Sequence, residues 1–295
     1  MNIAIIGLDT SHAIEFPRRM QDPECKPELR VDGMHAVSCL RFPTPFTNTE
    51  VLDTRQAQLE RWGVKVTTHF DEAVADCDAI MLEINDPTFH VDYFRWCLDL
   101  GKPIFIDKPL ADTYAQGRLI VDLAASHQVP VISASPLRFS HNLQEACQIV
   151  GQPAQAYCYG PLGIPPAGDG IIWYGVHCFE MLQRIMGPGA QQIDVRRDAS
   201  GVVAIVTYPD GRRGIAELTV GKYAYGGTLR SDEQIASFVI DGGLFYTEEL
   251  RIIKDFFLTG KAPFSLADSL EVLDLIDSAV LSVNQGGPVL LNGAK

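Results

Sequence analysis

Short apolar runs alternate with helix-forming segments along the first half of the chain. The runs are rich in β-branched residues and no longer than buried strands, and they lie at 3–6, 34–40, 64–66, 79–84, 103–106 and 129–132. Helical patterns fall between them, at 54–62, 71–75, 91–100 and 114–126. This alternation predicts an α/β fold with a doubly wound parallel sheet and helices on both of its faces.

From about Pro136 the pattern changes to strands joined by turns. Strands are predicted at 155–159, 202–208, 214–220 and 237–240, and helices at 142–150, 247–258 and 266–283. The segments 209–211 and 241–243 are typical of hairpin turns, and 160–171 is too rich in Gly and Pro for regular structure. The sequence therefore predicts two domains: residues 1–135 with the parallel sheet, and residues 136–295 as an α+β domain with a mainly antiparallel sheet.

The first strand ends in a turn that departs from a ligand-binding fingerprint. Rossmann units that bind dinucleotides carry G-x-G-x-x-G there, and the second glycine lets the backbone approach the pyrophosphate. Here Gly7 occupies the first glycine position, Asp9 the second and His12 the third. An ionised Asp9 facing a pyrophosphate would repel it. We therefore expect Asp9 to cap the helix that begins near Thr10 or Ser11.

The chain is acidic, which bounds its partners. Its formal net charge is -13, with no basic cluster, so nucleic acid and anionic membrane surfaces are not expected partners. Seven scattered cysteines without a C-x-x-C pair indicate reduced thiols. The first strand begins at residue 3, leaving no room for a signal peptide, and no apolar run is long enough to span a bilayer. We expect a cytoplasmic protein.

A lysine motif follows the fifth predicted strand. The segment GKPIFIDKPL, residues 101–110, places Lys108 just beyond a strand end, where ligands bind in open α/β sheets. It closely resembles the G-K-x-V-x-x-E-K-P motif of the glucose-fructose oxidoreductase, inositol dehydrogenase and MocA (Gfo/Idh/MocA) family, with Asp107 in place of Glu. The segments NDPTFH at 85–90 and GVHCFE at 175–180 resemble the family's T-P-x-x-x-H and G-x-H-x-x-D segments, in the same order.

The resemblance implies an activity. Family members use NAD or NADP to oxidise or reduce polyols, sugars and related hydroxy compounds, and the residues matching Lys108 and His177 contact the reacting hydroxyl. It also implies that residues 1–135 bind the dinucleotide, that the second domain binds the small-molecule substrate, and that copies of the second domain pair into a homodimer or homotetramer. We expect the active cleft between the two domains.

Elementary chemistry supports the same two catalytic residues. Hydride transfer from an alcohol requires a base within hydrogen-bond reach of the hydroxyl proton, and a histidine serves near neutral pH. A lysine partly shielded from water at a strand end can share that proton. The alternatives are a solvated loop lysine at Lys108 and a core histidine at His177. Glu180, one helical turn after His177, is a candidate to orient its ring.

The candidate cofactor-binding residues lie at the turn and at the strand ends. They are Gly7, Asp9, Thr10, Ser11, His12, Arg41, Asn85, Asp86, His90, Asp107 and Lys108. No acidic residue follows the second strand to bind a ribose. Arg41 could meet the 2′-phosphate of NADP instead, or simply form a surface ion pair, so the choice between NAD and NADP stays open.

The candidate substrate-binding residues include two aromatic rings. Many relatives carry an aspartate four residues before the histidine, where this chain has Trp173, followed by Tyr174. Such rings stack on the apolar face of a sugar or pack in a core. Ser133 and Ser135, near Arg138, lie at the end of the last parallel strand, where they either meet a substrate carboxylate or phosphate or lie at the domain junction.

Two further hypotheses remain. The histidines, among them His12, His69, His90 and His141, lack metal-site spacing, so we expect no metal. The altered fingerprint also leaves a rival to the enzyme: a ligand-binding or sensor protein on the same scaffold with weakened dinucleotide binding.

Overall fold

The computed structural model describes residues 1–294 and divides the chain into two compact units. The first unit contains Met1–Ala134 and Tyr246–Leu266, and the second contains Ser135–Phe245 and the residues from Ala267 onward. The units therefore differ from the two continuous domains expected at 1–135 and 136–295, because residues 246–266 pack with the first. Within residues 1–294 no helix is both long and apolar enough to cross a membrane.

A parallel six-stranded sheet forms the centre of the first unit. Its strands are β1 (Asn2–Ile6), β2 (His35–Leu40), β3 (Lys65–Thr67), β4 (Ala79–Leu82), β5 (Ile104–Asp107) and β6 (Val131–Ala134). They lie in the order β3-β2-β1-β4-β5-β6, with every neighbouring pair parallel. The chain order reverses at β1, so the carboxyl ends of β1 and β4 flank the switch point at which open α/β sheets bind ligands. The predicted α/β fold class and doubly wound sheet are confirmed.

Helices cross over between these strands. They are α1 (His12–Gln21), α2 (Thr49–Arg61), α3 (Phe70–Val74), α4 (His90–Leu98) and α5 (Tyr114–His127). Helix α2 begins five residues before its predicted start because the Asn48 side chain accepts a hydrogen bond from the Val51 N–H and caps it.

A late segment of the chain completes the first core. Helix α9 (Phe245–Thr259) buries Leu250, Ile253 and Phe256 in the same apolar cluster as Phe16 of α1. The Arg19 Nε donates to the Thr247 hydroxyl at 3.1 Å, which anchors the start of this helix. The amphipathic pattern of 247–258 predicts a helix but does not say which core receives its apolar face.

The second unit contains a mostly antiparallel seven-stranded sheet. Its strands are β7 (Gln155–Leu162), β8 (Gln192–Arg197), β9 (Gly201–Thr207), β10 (Arg213–Val220), β11 (Gly226–Arg230), β12 (Ile235–Val239) and β13 (Val289–Leu290). They lie in the order β12-β11-β7-β10-β9-β8-β13, and within it β7 and β10 run parallel. The turn at 209–211 joins the antiparallel pair β9 and β10, as predicted. The hairpin expected at 241–243 is wrong, because α9 follows that segment.

Helices cover one face of this sheet. They are α6 (His141–Val150), the short α7 (Gly170–Trp173), α8 (Gly175–Met186) and α10 (Leu266–Gln285). The stripe Val176, Phe179, Leu182 and Ile185 of α8 is buried in the core. No regular structure was expected at 160–171, but helix α7 begins at Gly170, within that stretch. It forms because Asp169 caps the Ile171 N–H at 2.8 Å.

The opposite face of the second sheet carries apolar side chains. Val203 and Ile205 of β9 are exposed, and Ile235 and Val239 of β12 are more so. Exposed apolar area of this kind marks interaction surfaces in soluble proteins. The predicted homodimer or homotetramer through the second domain stays a prediction.

Gly7 is the residue of the first turn that other side chains cannot replace. Its φ is +108°, and a Cβ there would lie 2.3 Å from the backbone oxygen of Glu83. Gly7→Ala should therefore lower the free energy of unfolding by more than about 3 kcal/mol, measured by urea denaturation. Gly63→Ala is the matched control, because Gly63 has a φ of +83° with nothing within 4 Å of its Cβ position, so only about 1–2 kcal/mol of backbone strain applies. Equal losses in the two variants would contradict the steric argument.

Candidate functional site

The carboxylate of Asp9 joins three loops of the first unit. It is buried, and it accepts hydrogen bonds from the Thr44 hydroxyl at 2.7 Å and from the Asn85 N–H at 2.9 Å. Burial raises the pKa of Asp9, and these two hydrogen bonds oppose the rise. The expectation that Asp9 caps α1 is wrong: Ser11 is the N-cap residue, without a side-chain cap bond. The two donors hold Asp9 away from the helix end.

The rest of the turn is tightly packed. Thr10 is buried, and its hydroxyl accepts the His12 N–H at 3.3 Å. Ser11 is exposed. The ring of His12 lies edge-on to Tyr246, with 4.9 Å between ring centroids, and Tyr246 belongs to α9. The third fingerprint position, where a glycine would leave space, is thus occupied by a packed imidazole.

A cluster of buried ionisable groups lies behind this turn. The Nδ1 of His12 is 3.1 Å from Asp107 Oδ1 and 3.9 Å from Glu83 Oε2. The Lys108 Nζ is 3.6 Å from Asp107 Oδ2, and all four side chains are nearly inaccessible to solvent. The Lys108 N–H donates to Asp107 Oδ1 at 2.7 Å. The solvated loop lysine considered for Lys108 does not match this burial.

The pKa values of the two carboxyl groups of the cluster, Glu83 and Asp107, are shifted in opposite directions. Burial, reinforced by Asp107, raises the pKa of Glu83 well above its ordinary value. Burial also acts to raise the pKa of Asp107, but the attraction of His12 and Lys108 outweighs it and holds that pKa below its usual range. Asp107 is therefore the ionised partner of the Lys108 ammonium at neutral pH.

The loop after β4 is held by internal hydrogen bonds. The His90 Nε2 is 2.8 Å from the Ile84 carbonyl oxygen and its Nδ1 is 3.3 Å from that of Leu110, so the buried ring joins this loop to the one after β5. Asp86 accepts from the Thr88 N–H and hydroxyl. Of the cofactor candidates in this loop, Asn85 contacts the turn directly, while His90 and Asp86 shape the backbone.

An aromatic cavity lies beyond the end of β2. It has a volume of about 350 Å³, and its lining includes Phe42, His69, Tyr93 and Trp96. The rings of Phe42 and Tyr93 stack at 4.4 Å between centroids. Arg41 beside it donates to Asp53 and to Gln56, each at 2.6 Å, which is the surface ion-pair arrangement considered from the sequence. No local sequence pattern predicts this cavity, because its aromatic rings come from separate elements.

His177 is the centre of a polar and aromatic group in the second unit. Its Nδ1 is 2.6 Å from the Ser135 hydroxyl, and its half-buried ring lies 5.6 Å from that of Tyr225 and 6.1 Å from that of Tyr174. Ser135 orients the ring, the role proposed for Glu180. Ser135 and Tyr225 were missed as neighbours of His177 because they lie 42 and 48 residues away in the sequence.

Arg138 and Glu180 form a buried ion pair. The Arg138 Nη1 is 3.1 Å from Glu180 Oε2, and both side chains are almost fully buried. Burial raises the pKa of Glu180, and the guanidinium opposes that rise. The pair ties α8 to the segment after β6, so Arg138 is already engaged by a carboxylate of its own unit.

Trp173 ends α7, and Tyr174 is the N-cap residue of α8. Both are half-buried, with ring centroids 4.6 Å apart, and Tyr174 also lies 5.9 Å from the exposed Tyr223. A Cβ at Gly163 would lie 2.1 Å from the Tyr174 ring, so that glycine makes room for it. Of these rings, that of Tyr174 lies beside the imidazole of His177.

The structure groups the predicted residues within each unit. In the first unit it gathers Asp9, Thr10, His12, Asn85, Asp107 and Lys108 around the carboxyl ends of β1, β4 and β5, and in the second it gathers Arg138, Trp173, Tyr174, His177 and Glu180 around α8. Glu83 and Thr44 were missed. Glu83 lies in the apolar run 79–84. A single acidic residue in such a run usually marks the end of a strand, so the sequence did not predict that its side chain is buried.

Comparisons with known proteins agree with the predicted family. Residues 1–135 match the Gfo/Idh/MocA family, described as an oxidoreductase family with an NAD-binding Rossmann fold. This match confirms the predicted resemblance, and the family's cofactor agrees with the prediction of a nicotinamide dinucleotide. A search of curated proteins found no match.

Solved structures share the fold over nearly the full length. Myo-inositol 2-dehydrogenase from Lactobacillus plantarum is 16% identical, with a TM-score of 0.78 and 99% of each chain covered. A myo-inositol dehydrogenase from Corynebacterium glutamicum is 15% identical, with a TM-score of 0.79 and 99% of each chain covered. Scyllo-inositol dehydrogenase from Lactobacillus casei, solved with NAD(H) and scyllo-inositol, is 14% identical, with a TM-score of 0.77 and 98% of each chain covered. At these identities the likeness establishes the fold.

The ion pair of Arg138 and Glu180 can be tested by stability. Arg138→Met should cost about 3–5 kcal/mol at neutral pH, because it leaves a buried carboxylate uncompensated. The variant raises the pKa of Glu180 further, so the deficit is full above that raised pKa and shrinks as the pH falls toward the ordinary value of 4.5. Urea denaturation across pH measures both effects. Arg118→Met, which removes an exposed pair with Asp122, is the control and should change little. A deficit that grew at low pH would contradict this account.

Proposed function

Because residues 1–135 match the Gfo/Idh/MocA oxidoreductase family, we propose that the chain is an NAD(P)-dependent oxidoreductase acting on a hydroxyl or carbonyl group of a sugar-like or polyol substrate. The observation that carries the proposal is the buried Lys108 ammonium, 3.6 Å from the Asp107 carboxylate at the end of β5. Burying an ammonium costs free energy, and buried ionisable groups of this kind cluster at functional sites. The polyols bound by the structural relatives make that substrate class the first to test.

The turn after β1 fits a dinucleotide on two grounds. Gly7 keeps the positive φ of +108° that the first fingerprint glycine requires. The carboxylate of Asp9, which would repel a pyrophosphate if it were free, is taken up by Thr44 and Asn85. The aromatic cavity of Phe42 and Tyr93 offers stacking surfaces for the adenosine end. Arg41 must release Asp53 before it can bind the 2′-phosphate of NADP, so this ion pair bears on the choice between NAD and NADP.

In this proposal Lys108 and His177 act on the proton of the substrate hydroxyl. A bound nicotinamide supplies the hydride acceptor or donor. Lys108, held as an ammonium by Asp107, hydrogen-bonds the substrate oxygen and stabilises its charge. His177, oriented by Ser135, removes or returns the hydroxyl proton. The two side chains belong to different units, and their joint action on one hydroxyl is the part of the proposal that mutants must test.

The rings near His177 suit a polyol or sugar. Trp173, Tyr174 and Tyr225 combine flat apolar faces with polar edges, which pack against the C–H face of a ring while hydroxyls bond elsewhere. Arg138 is bound to Glu180, so we assign it to positioning α8 and not to a substrate anion. The substrate expected is therefore uncharged at the end that faces these rings.

A sensor or ligand-binding protein is the second candidate. The packed imidazole of His12 at the third fingerprint position favours it, because no side chain there leaves the space that a glycine provides. Against it stand the buried Lys108 and the oriented His177, which a protein without chemistry has no evident need to keep.

The enzyme proposal can be tested by kinetics. Purified protein should reduce NAD or NADP with at least one member of a panel of inositols and sugars, followed by absorbance of the reduced nicotinamide. Lys108→Met and His177→Asn should each lower kcat by about 100-fold or more with folding intact. Lys65→Met is the control, since Lys65 is an exposed surface lysine paired with Glu72. A Lys108→Met enzyme that keeps most of its rate would remove Lys108 from the mechanism.

A further inference from the structure

Three metal-ligating side chains meet behind the first turn. His12 comes from the start of α1, Glu83 directly follows β4, and Asp107 ends β5. One ligand atom from each lies within 4.8 Å of the other two, and all three residues are buried. Neither the proposed hydride transfer nor the cofactor fingerprint requires this meeting, because Glu83 takes no part in either.

Four buried polar atoms of this cluster lack a hydrogen-bond partner in the described part of the chain, while the Asp107 Oδ1 accepts the Lys108 N–H. Among residues 1–294, both carboxyl oxygens of Glu83, the Nδ1 of His12 and the Oδ2 of Asp107 are buried without a hydrogen-bond partner. A buried polar atom left in this state is costly, and a buried carboxylate more so. Something that contacts all three residues at once would satisfy them together.

The two oxygens of the Asp107 carboxylate face different neighbours. The Lys108 ammonium approaches the Oδ2 of Asp107, whereas His12 faces the Oδ1, so the carboxylate presents different atoms to the two.

We propose that His12, Glu83 and Asp107 bind one divalent transition-metal ion. Nitrogen and oxygen ligands each about 2.0–2.2 Å from such an ion lie roughly 3–4 Å apart. The observed separations from His12 Nδ1, 3.1 Å to Asp107 and 3.9 Å to Glu83, match that spacing. One imidazole with two carboxylates suits Zn²⁺, Mn²⁺ or Fe²⁺, whereas Mg²⁺ and Ca²⁺ favour all-oxygen sites.

The ion would act where the three central strands end. It would join α1 to the ends of β4 and β5, which are the loops that carry Asn85 and Lys108. This site does not depend on the proposed hydride transfer, because it requires neither a dinucleotide nor a substrate. Its failure and the failure of the enzyme proposal are therefore separate results.

Metal binding to the full chain tests the site directly. The purified protein is stripped with a chelator, then titrated with Zn²⁺, Mn²⁺ and Mg²⁺ by calorimetry, and native mass spectrometry counts the bound ions. We expect one Zn²⁺ or Mn²⁺ per chain, a higher Tm with the ion, and much weaker binding of Mg²⁺. Glu83→Gln, which keeps the shape of the side chain, should weaken binding by about 100-fold or more.

The control addresses adventitious binding at the surface. His141 and Glu145 form an exposed pair 3.0 Å apart, the kind of site that captures Zn²⁺ weakly. His141→Ala should leave the affinity unchanged. If His141→Ala abolishes binding, if Glu83→Gln retains it, or if the wild-type chain binds none of these ions, the proposal is overturned.

A second measurement needs no variant. X-ray absorption spectra of the Zn²⁺-loaded wild-type protein should show one imidazole among oxygen ligands at about 2.0–2.2 Å. This result would support the site even if Glu83→Gln failed to fold. A shell that contains sulfur, or one without an imidazole, would contradict it.

Discussion

Polar side chains that water barely reaches hold together the carboxyl ends of β1, β4 and β5. Asp9 accepts the Asn85 N–H, His90 joins the carbonyls of Ile84 and Leu110, and His12 faces Asp107. A parallel sheet brings these strand ends to one edge, where the backbone must turn and its polar groups must find partners. The loops that would hold a ligand are consequently fixed by buried electrostatics, and the sheet supplies the frame.

The second unit solves a similar problem by different means. The ring of His177 is half-buried and contacts the Ser135 hydroxyl, while the nearby Arg138 and Glu180 form an ion pair. The two units therefore differ: buried charged groups lie at the sheet edge of the first, and the second has a histidine among aromatic rings.

The fold was largely predictable because apolar runs mark buried strands. All six strands of the first sheet were found, whereas three strands of the second, β8, β11 and β13, were missed. Strand β8 carries Asp194, Arg196 and Arg197, β11 begins with two glycines, and β13 has only two residues. The residues of the candidate site were mostly found, but their partners were not. The propensity of Asp for helix N-caps predicts that Asp9 caps α1. Its carboxylate instead accepts hydrogen bonds from Thr44 and Asn85, which lie far along the chain. Glu83 and Ser135 gain their roles from neighbours far along the chain, which no local pattern records.

An NAD(P)-dependent oxidoreductase must bind a nicotinamide dinucleotide at the altered turn after β1. Titrating the purified protein with NADH and NADPH, and following nicotinamide fluorescence together with thermal unfolding, measures this directly. We predict saturable binding of one dinucleotide per chain and a rise in Tm, since a ligand at 100 times its Kd stabilises the folded state by about 2.7 kcal/mol. Absence of both signals at millimolar NADH and NADPH would contradict the oxidoreductase proposal and favour the sensor.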